Sequence, residues 1–142
     1  MKTIQRAPAV LFLTITAICT VAFSQGAKQP ARVGDVAWGK YIVESLVMCE
    51  QCHTPRDEQG NPDRGRWLMG GPLQIRATYP NSWATVTPRI AGQPPGTDAE
   101  IVKLLTTGIW KTGAPPNPPM PQFHMTQADA EAVVAYLKSL GR

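Results

Sequence analysis

The 142-residue sequence predicts a mainly α-helical fold, with at least three helices joined by long loops. Three observations predict it. Segments opening at Thr97 and at Thr126 carry N-cap residues followed by apolar residues at helical spacing. A third helical pattern runs from Asp35 toward Cys49. Between these patterns, residues 54–96 are rich in Pro, Gly, Asn and Thr and show no strong period. Loops of that length are unusual in a small domain unless function or a bound group orders them.

The first 24 residues stand apart from that plan. Met1–Arg6 carries two positive charges, Ala7–Phe23 carries none, and Ala22-Phe23-Ser24 offers small residues at −3 and −1 of a cleavage site. That is the layout of a secretory signal peptide. The apolar run is short for a membrane span and is diluted by Pro8, Thr14, Thr16 and Thr20. An uncleaved N-terminal anchor over residues 7–23 is the alternative. Cys19 suggests a lipoprotein site, but Thr16 and Ile18 fit a lipobox poorly. The expected organisation is therefore a signal over 1–24, a polar flexible lead-in over 25–34, and one folded domain over 35–142. Losing Lys2 and Arg6 with the signal leaves 12 basic against 10 acidic residues. There is no run of Lys or Arg, so a nucleic-acid partner is not expected.

Taking the elements in order, Asp35 is the N-cap of the first helix, with Val36, Tyr41, Ile42, Ser45, Leu46 and Cys49 near helical spacing. Gly39 weakens a helix interior, so its presence points to close packing against another element. Strand signals in the loop region are confined to Leu73-Gln74-Ile75 and Ala84-Thr85-Val86. Thr97 and Glu100 form a capping-box pattern. Ile101, Leu104, Leu105 and Ile109 supply the apolar face of that helix, and Gly108 ends it. Five prolines in residues 112–121 exclude helix and favour an extended path. Thr126 caps the last helix, whose apolar side is Ala130, Val133, Val134, Leu137 and Leu140.

The chemistry concentrates in Cys49-Glu50-Gln51-Cys52-His53. With Cys19 in the expected signal, these are the two thiols of an exported chain. Cys-x-x-Cys-His is the attachment pattern of c-type haem. Two residues between the sulfurs make about one helical turn, which matches the separation of the haem vinyl groups. A histidine next in sequence is then aimed at the iron. Three other readings compete. A thioredoxin-like redox pair needs a strand before it and a βαβ setting, and no strand runs into Cys49. A structural zinc needs four ligands, and His124 is the remaining candidate. A plain disulfide needs nothing more.

If His53 holds iron from one side, the other face is open. Met120 lies inside Pro118-Pro119-Met120-Pro121, where prolines fix the backbone and can hold a sulfur in place. Met125 and His124 are the other candidates, and an open face is the fourth outcome. A thioether gives a six-coordinate electron carrier. An open face gives a peroxidase or small-ligand sensor. Trp67, Trp83 and Trp110 are candidate indole donors to haem propionates, and Arg66, Arg76 and Arg89 candidate counter-charges. The backbone near Pro55 is a candidate acceptor for the second imidazole nitrogen. No nucleophile–base pair and no phosphate loop is present, so no catalytic residues are expected.

The order helix, CxxCH, loops, Pro-Met-Pro, terminal helix resembles a class I c-type cytochrome. The segments GKYIVESLVMCEQCHTPRD, GGPL, TDAEIVKLLTTG, PPMPQF and TQADAEAVVAYLKSL are similar to monohaem cytochromes and cytochrome subunits that serve bacterial periplasmic dehydrogenases. The resemblance covers residues 35–142. It implies a class I fold wrapped around one covalently bound haem c, with Cys49 and Cys52 as thioethers and His53 and Met120 as axial ligands. It implies Gly39 and Tyr41 packed on Tyr136 and Leu137. It also implies a periplasmic one-electron carrier, not an enzyme. Its partners would be a donor dehydrogenase and an acceptor oxidase or cytochrome, with membrane contact only if residues 7–23 stay attached. The corresponding subunits often carry two or three haem domains, whereas this sequence has one CxxCH.

Overall fold

The computed structural model describes residues 34–141. The expected signal, Cys19, the lead-in up to residue 33, and Arg142 lie outside the described residues. Helix α1 spans Val36–Tyr41. The Asp35 carboxylate caps it by accepting the Trp38 N–H at 3.0 Å.

The first helix does not run on to Cys49. It loosens into a π turn over Ile42–Leu46, where the Val47 N–H reaches the Ile42 carbonyl at 2.9 Å. Met48 then reverses the chain with φ at 54°. An extra residue per turn rotates the side chains that follow it about the helix axis. Val43 therefore joins Ile42 in the core, and Leu46 swings out to 54% exposure. A fresh one-turn helix, α2, spans Glu50–His53.

After α2 the chain is loop, with a 3-10 turn at Arg64–Arg66 and two short strands. Strands β1 (Gly71–Pro72) and β2 (Val86–Thr87) pair antiparallel, Gly71 opposite Thr87 and Pro72 opposite Val86. The Leu73 N–H adds one more bond to the Thr85 carbonyl at 2.9 Å. The pairing thus sits slightly off the expected strand signals, and Gln74-Ile75 lie beyond it.

Helix α3 spans Asp98–Thr107 and has both bonds of its capping box. Gly108 closes it at φ 70°, and a Cβ there would lie 2.6 Å from the Gln122 Cβ. Helix α4 spans Gln127–Ser139. Its cap, Thr126, accepts the Asp129 N–H and donates its hydroxyl to Asp129 Oδ2. Among the described residues, no helix is long and apolar enough to cross a membrane.

The core joins Ile42 and Val43 to Leu68, Ala91, Ile101, Leu105 and the inward face of α4. Burying each large aliphatic side chain contributes about 1.5–3 kcal/mol. α1 and α4 cross at Gly39, where a Cβ would lie 1.9 Å from the Ala132 carbonyl oxygen and 2.9 Å from the Tyr136 Cβ. Trp38 Nε1 donates to Asp129 Oδ1 at 2.7 Å, and the Tyr136 hydroxyl donates to Glu44. Tyr41, expected in the same contact, is 45% exposed and lies against Trp38 with ring centroids 5.2 Å apart. Gly39 is the residue that lets the helices close, so its neighbour two positions on is turned outward.

Two outcomes follow from this crossing. Gly39→Ala forces backbone apart and should cost about 3 kcal/mol of unfolding free energy in a denaturant titration. Burial, then the Glu44 bond, pushes the Tyr136 hydroxyl up from 10.0 to about 12. The folded state therefore holds that proton more tightly than the unfolded chain does. The stabilisation is complete below pH 10 and is lost as pH rises toward 12. Thermal melts of the wild type should fall across that window, and Tyr136→Phe should flatten the fall.

Candidate functional site

A cavity of about 450 Å³ lies between α2, the segment 84–90, α3, the proline-rich loop and α4. That is the size of a small-molecule or cofactor site. Its wall is largely aliphatic, with Leu104, Leu105, Val133 and Leu137 from α3 and α4. Cys49, Cys52, His53 and Met120 all line it. A separate groove near Val36, Asp98 and Lys138 is lined by neither a thiol nor an imidazole.

The residues around His53 hold it from several sides. The Gly70 N–H donates to the His53 carbonyl at 2.7 Å. The Thr87 hydroxyl lies 2.8 Å from the Cys52 carbonyl and 3.2 Å from that of Gly71. Thr54 Oγ1 accepts the Leu68 N–H at 3.0 Å. Segment 87–89 presses so closely on Gly70 that a Cβ there would sit 2.5 Å from three of its backbone atoms. Gly70 also has φ at 70°, so glycine is required twice over.

That close approach delivers the Pro88 carbonyl, 2.9 Å from His53 Nδ1. A carbonyl only accepts, so Nδ1 carries the hydrogen and Nε2 keeps its lone pair. The acceptor was expected near Pro55, but the Pro55 carbonyl takes the Asp63 N–H at 2.8 Å. Nothing in the sequence pointed to a carbonyl 35 positions away. Burial lowers the His53 pKa below 6.5, outweighing the Pro88 bond, which raises it. The imidazole is therefore neutral at pH 7, the form that binds metal.

The two thiols are free and partly buried. Burial first, and the Glu50 charge second, push the Cys49 thiol up from 9.0 to about 12. A thioredoxin-like pair needs the opposite, a thiol lowered toward neutrality. Nor, among the described residues, is there a βαβ unit around α2. Among the described residues, no group of three or more His, Cys, Asp and Glu could hold a metal ion such as structural zinc. His124 is exposed and does not line the cavity.

Met120 is carried by the loop that the Pro118 carbonyl ties to the Ala84 N–H at 2.7 Å. Met125 packs against the core, its N–H bound to the Leu105 carbonyl at 2.9 Å, and is not part of the cavity wall. Of the three tryptophans, Trp110 lines the cavity. Trp83 Nε1 donates to the Ile75 carbonyl at 3.2 Å, and the Arg64 guanidinium covers Trp67 at 4.1 Å. Arg66 pairs with Asp63 at 2.6 Å, and Arg89 Nε donates to the Ala91 carbonyl at 2.6 Å.

These donors fit a c-type haem: two sulfurs and an imidazole from one short helix and its N-cap residue Cys49, a thioether from a separate loop, and an apolar wall. The chain resembles known proteins in the same sense. The family model described as Cytochrome c matches residues 36–141. A diheme cytochrome c-type protein of Cereibacter sphaeroides is 35% identical over 103 residues, covering 70% of this chain and 33% of that protein. The fructose dehydrogenase cytochrome subunit of Gluconobacter japonicus is 30% identical over 112 residues, covering 72% of this chain and 21% of that subunit. The chain thus spans a third or less of the length of these curated relatives.

Thr87→Val tests the frame around His53. It strips the part-buried Cys52 and Gly71 carbonyls of their shared donor, and should lower unfolding free energy by about 1–3 kcal/mol in a denaturant titration.

Proposed function

Because the chain belongs to the cytochrome c family, with its mainly helical class I fold, we propose that it is an exported one-electron carrier with a single covalent haem c. Haem-based electron transfer through redox partners follows from the family itself; the single haem, the ligand set and the compartment are our reading. Cys49 and Cys52 would form the thioethers, and His53 Nε2 and Met120 Sδ would both bind the iron. The observation that carries this is that these four side chains, 71 positions apart at the extremes, line one cavity.

When bound, the haem supplies a ferric–ferrous couple. The chain does the rest. Aliphatic side chains of α3 and α4 exclude water. The Pro88 carbonyl holds the imidazole in one tautomer, and the proline-rich loop carries the sulfur. No substrate bond forms, so docking with partners is weak and transient. A relative named as a dehydrogenase subunit supports a dehydrogenase as electron donor. The charge and small-residue pattern of residues 1–24 supports export to the periplasm.

The test is spectroscopy on exported protein. The intact mass should show one haem beyond the chain. The ferric form should have a far-red thioether band, absent in Met120→Ala. Carbon monoxide should bind the ferrous wild type slowly and Met120→Ala at once. Instant binding to the wild type would instead indicate an open-faced sensor or peroxidase.

A further inference from the structure

One buried ionisable side chain has no part in that scheme. Glu50 stands between the two cysteines and is 6% exposed. Its Oε2 has no hydrogen-bond partner among the described residues. Its Oε1 accepts from Gln51 Nε2 at 3.0 Å, and Gln51 Oε1 accepts from Arg56 Nη2 at 3.0 Å. Arg56 also donates to the Gln51 carbonyl at 2.9 Å. The nearest cation in this chain of bonds is therefore one amide removed. None of the salt bridges among the described residues includes Glu50. An acid group taken out of water with one neutral donor is costly, and such groups occur where another positive centre compensates.

We propose that Glu50 is a redox-tuning residue, whose buried carboxylate lowers the reduction potential of the iron held through Cys49, Cys52 and His53. The inference rests on the haem reading given above. With two neutral axial ligands, the ferric centre bears one net positive charge and the ferrous centre none. A fixed negative charge therefore stabilises the oxidised form more. One electron enters the iron on reduction, and no bond is made or broken. Its burial leaves the field of Glu50 less screened than that of a surface carboxylate.

The experiment is a spectroelectrochemical titration of holoprotein at pH 7. At a fixed ambient potential, Glu50→Gln should raise the ferrous-to-ferric ratio about fourfold to sixteenfold, the effect of one charge at ~10–20 Å and an effective dielectric of ~20. The shift should survive at about 1 M salt, where exposed charges are screened. Glu50→Asp, which keeps the charge, should stay near the wild type. Glu50→Ala gives a second neutral variant should Glu50→Gln not mature. An unmoved ratio in either neutral variant with an unaltered absorption spectrum overturns the proposal, as does a shift abolished by salt. A colourless wild type would instead refute the haem reading beneath it.

Discussion

The bond between His53 Nδ1 and the Pro88 carbonyl sets the constraint around which the site is built. A histidine can present either nitrogen, and a cavity alone does not choose between them. The carbonyl chooses, and the loop 54–91 exists in its observed form partly to bring it there. Gly70 permits the approach, Thr87 ties the loop to the Cys52 carbonyl, and Leu68 anchors the segment in the core. Loops that look irregular in sequence are thus held by bonds to the short helix they surround.

The helices answer a different need. α2 is four residues long and cannot hold its own position. The crossing of α1 on α4 at Gly39 and the packing of α3 on α4 make a rigid back wall, with Val133 and Leu137 facing the cavity. The π turn and the reversal at Met48 let the chain leave that wall and enter α2 at a new angle. Substituting Gly39 therefore reaches the site through the wall rather than through any contact with it.

Much of this was legible in the residues. Caps at Asp35, Thr97 and Thr126 are local signals, and each formed as read because its partners lie within three residues. The motif Cys49–His53 carries its chemistry in its spacing. The π turn was not legible, because Ile42–Leu46 is compatible with ordinary helical spacing and only packing reveals the extra residue. Pro88 was not legible, because a backbone carbonyl has no sequence signature. The burial of Glu50 ran against expectation, since charged residues are seldom buried. Tyr41 was misplaced because it was set by likeness rather than by the geometry of the Gly39 crossing.

The central proposal is that His53 and Met120 would both bind the iron of a haem held in this cavity. Iron-edge X-ray absorption on the exported protein tests it most directly. The account predicts a six-coordinate iron with five nitrogens and one sulfur, the sulfur lost in Met120→Ala. A shell of six nitrogens, a five-coordinate iron, or no iron at all would contradict it.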